Sequence, residues 1–112
     1  MKKKILFVCT INRMRSATAF EIYKEDNRFE IASAGTDQAA AKIISRELIE
    51  WADSVVVMEK HHRSEIRKRY PDLYESKRIV CLYIPDEYGF MDEYLIALIK
   101  TKFEDVLSRD LV

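Results

Sequence analysis

Glycine, proline and cysteine are all scarce in this chain of 112 residues, which contains two of each. With so little glycine and proline, the sequence has no low-complexity tract and no flexible linker of the kind that separates domains. The length suits one hydrophobic core and leaves little for a second. We therefore expect a single domain over residues 1–112.

The other shortages exclude whole classes of protein. Two cysteines without paired spacing, Cys9 and Cys81, argue against a disulfide-rich scaffold and indicate a reducing compartment. Acidic and basic residues balance at 19 each, so no overall field favours nucleic acids or acidic membranes. No apolar run is long enough to cross a bilayer. The lysine-rich start leads into Asn12 and Arg13 rather than a cleavage site for a secretory signal. We expect a cytoplasmic protein.

Short apolar runs alternate with amphipathic segments, which is typical of a parallel sheet flanked by helices. The apolar runs predict four strands, at residues 4–9, 30–33, 54–58 and 78–83. The amphipathic segments predict four helices, at residues 16–24, 39–51, 60–70 and 92–108. The expected fold is a three-layer α/β domain, and ligands of such sheets bind at the carboxyl ends of the strands.

The most informative segment joins the first strand to the first helix and reads Cys9-Thr10-Ile11-Asn12-Arg13-Met14-Arg15-Ser16. A strand that ends at Cys9 and a helix that starts near Ser16 would force the loop into a tight arc. Its backbone N–H groups could then converge on an anion, and phosphate is the anion we expect there. Arg15 supplies a planar fork that matches two phosphate oxygens, and the same positive environment stabilises a thiolate at Cys9.

A purely structural explanation of this segment is the alternative. Unpaired cysteines often end buried strands, so Cys9 could be a core residue. Arg15 would then be a solvated charge and Ser16 the N-cap of the helix.

The segment from Ile5 to Ser16, followed by Ala19, resembles the amino-terminal signature of the low-molecular-weight protein tyrosine phosphatases. The resemblance spans nearly the entire chain and continues at Ser33-Ala34-Gly35-Thr36, Trp51-Ala52-Asp53, Val55-Val56-Val57-Met58, residues 61–71 and Ile84-Pro85-Asp86-Glu87-Tyr88. It implies the fold of those phosphatases, with a phosphate-binding loop after the first strand. It also implies a cysteinyl-phosphate intermediate, no metal or other cofactor, and a phosphorylated substrate of the phosphotyrosine type.

By this resemblance, Cys9 is the nucleophile, Arg15 clamps the phosphoryl group and Asp86 is the general acid. The residues that would surround the bound phosphate are Thr10, Ile11, Asn12, Arg13, Met14 and Ser16. Among them, Asn12 shapes the loop and Ser16 assists the sulfur. Tyr88, two residues beyond the acid, would stack on an aromatic substrate, with packing in the core as the alternative.

Two departures from the family pattern keep other functions open. Ile11 stands where the family usually has glycine, so a positive φ there would strain a β-branched residue. The stretch between Thr36 and Trp51 is shorter than usual, which removes part of the pocket wall. A phosphate-binding module with weak catalysis is therefore the alternative function. Arsenate reduction is disfavoured, because a thiol relay normally needs more cysteines than Cys81 provides.

His61 and His62 begin a strongly charged segment. We expect both to be solvated side chains at the start of a helix rather than catalytic groups. We expect no metal site, because metal-binding partners at suitable spacing are missing.

Overall fold

The protein is described by a computed structural model that covers residues 2–112. Within this range, four parallel strands form one sheet in the order β2-β1-β3-β4. The strands are β1 (Lys3–Cys9), β2 (Phe29–Gly35), β3 (Ser54–Val57) and β4 (Arg78–Cys81). The predicted α/β fold and its four strands are confirmed. The last strand ends earlier than predicted, and Tyr83 beyond it has a φ of 56°.

Helices cover both faces of the sheet. In the described part of the chain they are α1 (Arg15–Tyr23), α2 (Arg46–Trp51), α3 (Lys60–Arg69), α4 (Pro71–Ser76) and α5 (Glu93–Ser108). No helix among these residues is long and apolar enough to cross a membrane.

The central strand β1 is buried on both sides, and its successive side chains enter opposite layers. Ile5, Phe7 and Cys9 belong to the core cluster that includes side chains of α1 and α5. Leu6 and Val8 belong to the cluster shared with α2, α3 and α4. Cys9 therefore ends β1 on the side that α1 covers.

Aromatic packing fixes α1 and α5 on this side of the sheet. The Phe103 ring of α5 lies 5.1 Å from the Phe7 ring and 4.9 Å from the Tyr23 ring, measured between centroids. Tyr23 ends α1, so these contacts anchor the helix at the end opposite to Arg15. The position of the first turn of α1 relative to β1 follows from this anchoring.

The predicted helix over residues 39–51 is wrong in its first half. Helix α2 begins only at Arg46, after Ser45, whose Oγ accepts a hydrogen bond from the Leu48 N–H at 3.2 Å. Residues before it bond to other segments, since the Ala41 N–H donates to the Ile11 carbonyl at 2.9 Å. A helix starting at residue 39 would give up these longer-range backbone bonds.

Helix α4 is absent from the sequence-based prediction, which ends a helix at residue 70. Pro71 occupies the first turn of α4, where its missing N–H and restricted φ are well tolerated. The proline therefore separates two helices and begins the second one.

Candidate active site

Residues 10–14 connect β1 to α1 and surround the sulfur of Cys9. Three loop carbonyls accept hydrogen bonds from the segment after β2, in the pairs Cys9–Thr36, Thr10–Asp37 and Ile11–Ala41, at 3.0, 3.0 and 2.9 Å. In a trans peptide the N–H and the C=O point in opposite directions, so the N–H groups of residues 10–12 turn away from that segment. The Asn12 N–H contacts the Cys9 Sγ at 3.3 Å. The loop thus presents backbone donors on the side of the sulfur.

The backbone turn in this loop is made at Asn12, which has a φ of 58°. Ile11 is not among the described residues with positive φ, so the expected strain at Ile11 is absent. Asparagine tolerates the left-handed region better than a β-branched residue does. The Asn12 Nδ2 also donates to the Ser16 Oγ at 2.7 Å, which ties the turn to α1.

Cys9 is buried at 2% exposure, and its Sγ lies 2.9 Å from the Ser16 Oγ. Because the Ser16 oxygen accepts from Asn12, its single hydrogen is free to donate. It has two acceptors in reach, the Cys9 sulfur and the Ala34 carbonyl at 3.3 Å. The Ser16 hydroxyl and the N-terminus of α1, where Met14 provides no side-chain cap, both place the positive ends of dipoles near the sulfur.

Arg15 is buried beside this loop at 2% exposure. Its Nη1 donates to the Glu59 Oε1 and, at 2.9 Å, to the Ile84 carbonyl. Its Nη2 contacts the Thr10 Oγ1 at 3.4 Å. Both hydrogens of Nη1 are therefore engaged, and the Nε and Nη2 edge is the one that can bind two oxygens of an anion.

Glu59 is the main site residue that sequence reasoning misses. Burial alone would raise the pKa of its carboxyl, but the hydrogen bonds and charges of Arg15 and, to a smaller extent, His61 together lower that pKa. Glu59 is therefore an ionised partner that holds the guanidinium. Its position just beyond β3 was the available signal, because the carboxyl ends of β1 and β3 are neighbours in the sheet.

The structure brings Cys9, Asn12, Arg15 and Ser16 together, with Asp86 at the rim. The Asp86 Oδ1 lies 3.8 Å from the Arg15 Nε, and the carboxylate is exposed. Within the same loop, Arg13 is exposed, whereas Thr10, Ile11 and Met14 are half-buried.

Tyr88 is half-buried and packs against the core cluster of α1 and α5. It also lines a surface cavity of about 370 Å³ with Tyr94 and Lys102. The other lining residues belong to α5, so Tyr88 lies beside this helix.

The expectation that both histidines are solvated is wrong for His62, which is fully buried, while His61 is exposed. The His62 Nδ1 accepts the Glu59 N–H at 3.0 Å, so the other nitrogen, Nε2, carries the hydrogen of the neutral ring. That Nε2 lies 2.9 Å from the Thr10 Oγ1. Burial, followed by the charges of His61 and Arg15, lowers the pKa of His62 to about 3.

Glu59, His61 and His62 offer ligand atoms within 4.8 Å of one another, which is close enough for a single metal ion. The His62 lone pair is occupied by the Glu59 N–H, and the Glu59 carboxylate pairs with Arg15. A metal would have to displace both contacts. The donor set does not fit a metal site.

Solved structures share this architecture. The low molecular weight protein tyrosine phosphatase SP-PTP from Streptococcus pyogenes aligns with a TM-score of 0.74 at 20% identity, over 96% of this chain and 92% of that chain. The tyrosine phosphatase AmsI from Erwinia amylovora gives 0.76 at 19% identity, over 97% and 93%. The YwlE arginine phosphatase from Geobacillus stearothermophilus gives 0.66 at 23% identity, over 97% and 96%.

At the level of sequence, no protein-family model and no curated protein matches. The similarity therefore lies in the three-dimensional structure. The chain has the fold of the low molecular weight protein tyrosine phosphatases.

Proposed function

We propose that the protein is a phosphomonoester hydrolase of the protein tyrosine phosphatase type, with Cys9 as its nucleophile. The observation that supports this most is the environment of the Cys9 sulfur. The sulfur contacts the Asn12 N–H and the Ser16 hydroxyl. The buried guanidinium of Arg15 lies beside the same loop. A structural cysteine at the end of a strand would not require this set of donors.

In the first step, the Cys9 thiolate attacks phosphorus on the side opposite to the ester oxygen. An S–P bond forms as the P–O ester bond breaks, and Asp86 gives its proton to the leaving oxygen. The Nε and Nη2 edge of Arg15 and the loop N–H groups hold the other three oxygens and balance their charge.

In the second step, water attacks the phosphorus of the cysteinyl phosphate. The Asp86 carboxylate takes a proton from this water, a P–O bond forms and the S–P bond breaks. The electron pair returns to the sulfur, and the Ser16 hydroxyl stabilises the released thiolate. Inorganic phosphate leaves and Asp86 is protonated again.

The proposed substrate is a phosphotyrosine protein. Two of the similar structures are tyrosine phosphatases with TM-scores of 0.74 and 0.76, and the arginine phosphatase follows at 0.66. The other loop residues would surround the phosphoryl group or the part of the substrate next to it. They are Thr10, Ile11, Asn12, Met14 and the exposed Arg13. A single domain over residues 1–112 would carry the activity in the cytoplasm, where the free thiols of Cys9 and Cys81 stay reduced.

Phosphate release from a panel of substrates tests the proposal. Phosphotyrosine, phosphoserine, phosphoarginine and nucleoside monophosphates are compared with a reducing agent present, and we expect the aryl ester to react fastest.

Cys9→Ser should abolish turnover but keep phosphate binding, while Cys81→Ser, the matched control, should stay active. Substantial turnover by Cys9→Ser defeats the nucleophile assignment. Stoichiometric phosphopeptide binding without release selects the binding module instead, and arsenate reduction that depends on Cys81 selects the thiol relay.

A further inference from the structure

His62 is a buried titratable side chain that the steps above do not use. Its ring connects two segments that are distant in the sequence, the phosphate-binding loop and the start of α3. Because the Glu59 N–H can only donate, the His62 Nδ1 is the acceptor and the Nε2–H is the donor. The Nε2–H therefore donates to the Thr10 hydroxyl oxygen at 2.9 Å.

Thr10 lies between His62 and Arg15. Its Oγ1 has two lone pairs, one for the His62 Nε2–H at 2.9 Å and one for the Arg15 Nη2 at 3.4 Å. The position of this oxygen thus limits how the Nη2 end of the guanidinium can rotate. Without His62, the hydroxyl would keep only the longer contact with the Arg15 Nη2 among the side-chain hydrogen bonds described for it.

Glu59 fixes the other end of the same guanidinium, and His62 also orients Glu59. The two residues form a capping box, in which the Glu59 side chain accepts the His62 backbone N–H and the His62 side chain accepts the Glu59 backbone N–H. The Glu59 carboxylate in turn binds the Arg15 Nη1. One buried ring therefore contacts two of the residues that bind the guanidinium, Glu59 and Thr10, while the Ile84 carbonyl binds it independently of His62.

We infer that His62 is a positioning residue of this site, which fixes Thr10 and Glu59 so that the Arg15 Nε and Nη2 edge faces the phosphoryl group. The inference rests on the proposed function, since it assigns Arg15 the role of phosphate clamp. The ring has to be neutral, because a protonated Nδ1 would oppose the Glu59 N–H. The low pKa of His62 keeps it neutral at ordinary pH.

Matched variants separate this role from a purely structural one. In His62→Asn, the amide oxygen replaces Nδ1 as acceptor for the Glu59 N–H, but the donor toward Thr10 is lost. In His62→Gln, the longer amide places a donor near the position of Nε2. Thr10→Val removes the hydroxyl with little change of shape, and Thr10→Ser retains it.

We expect His62→Asn and Thr10→Val each to lower kcat for an aryl phosphate about tenfold with little change in KM. His62→Gln and Thr10→Ser should stay within about threefold of the original protein. The double variant Thr10→Val with His62→Asn should be no slower than the slower single variant, because both remove the same contact. Calorimetric binding of inorganic vanadate should weaken in the same order.

Additive losses of about a hundredfold in the double variant would overturn the inference. So would unchanged kcat in either single variant, or a failure of both conservative variants to restore it. Vanadate affinity does not depend on turnover. If the original protein hydrolyses no phosphomonoester, the proposed function fails, while a non-additive loss of vanadate affinity would still support the role of His62. Absence of vanadate binding to the original protein would overturn both.

Discussion

Gly35 lies against the main chain of Thr10, and a Cβ at position 35 would come within 2.3 Å of the Thr10 carbonyl oxygen. It would also approach the Asn12 nitrogen to 3.0 Å. Gly35 ends β2 directly opposite Cys9 in the sheet register. The missing side chain lets the loop of residues 10–14 close over the end of β2. The geometry around the sulfur therefore depends on a neighbouring strand as well as on the loop itself.

We expect Gly35→Ala to lower the free energy of unfolding by about 1–3 kcal/mol, because the loop backbone has to move. Phosphate release should fall as well, since the same backbone carries the donors around Cys9. Urea unfolding and a phosphate-release assay measure the two effects. Gly89→Ala is the matched control, because an added Cβ there meets no atom within 4 Å. Unchanged stability and activity in Gly35→Ala would show that the loop adapts.

Ser16→Ala removes the hydroxyl that lies 2.9 Å from the Cys9 Sγ. The Cys9 sulfur loses a hydrogen-bond donor, so we expect iodoacetamide to alkylate Cys9 more slowly near neutral pH. Mass spectrometry measures the rate of this alkylation. Turnover should fall about tenfold, the usual effect of one such hydrogen bond. Ser64→Ala is a suitable control, because Ser64 is exposed and bonds only within α3. An unchanged alkylation rate in Ser16→Ala would assign the hydroxyl to Ala34 instead.

Asp86→Asn should slow the first chemical step by about 10²–10⁴-fold, the usual contribution of a general acid. The loss should grow as the leaving group becomes more basic, because a good leaving group departs without a proton. A series of aryl phosphates of graded acidity measures this dependence. Glu87→Gln, a change to the adjacent exposed carboxylate, should leave it unaltered. Equal losses across the series would remove Asp86 from the role of acid.

The folded protein should lose stability in mild acid because of His62. Burial lowers the pKa of this side chain to about 3, whereas an unfolded histidine has a pKa of about 6.5. As the pH falls below about 6.5, the unfolded chain gains a proton at this side chain that the folded chain does not bind. The contribution is therefore complete above about pH 6.5 and declines as the pH falls toward the folded pKa, by about 1.4 kcal/mol per pH unit.

Urea unfolding between pH 7 and pH 5 tests this dependence, with an expected loss of about 2 kcal/mol from His62. His62→Gln should flatten the pH dependence of the free energy of unfolding. Ser64→Ala changes an exposed side chain of the same helix that does not titrate, and it should leave the slope unaltered. Equal slopes for all three proteins would show that His62 is protonated in the folded state.

Much of the fold could be predicted from the sequence, because its signals are local. The run Ile5 to Cys9 is apolar because both faces of β1 are covered, and that pattern is visible without coordinates. The start of α1 after Met14 could also be predicted from the local sequence, because an amphipathic segment follows the loop. The segment before Arg46 could not be predicted, since its backbone bonds to Gly35 at the end of β2 and to Ile11, which is remote in the sequence.

The sequence by itself determined that one thiol and one guanidinium flank a short loop between a strand and a helix, because Cys9 and Arg15 are only a few residues apart. Only the tertiary structure decided what holds them. The partners Glu59 and His62 lie 44 positions from Arg15 and 52 from Thr10, respectively. They come within hydrogen-bonding distance because the parallel sheet aligns the carboxyl ends of β1 and β3. A buried charge requires such partners, and the local chain does not supply them.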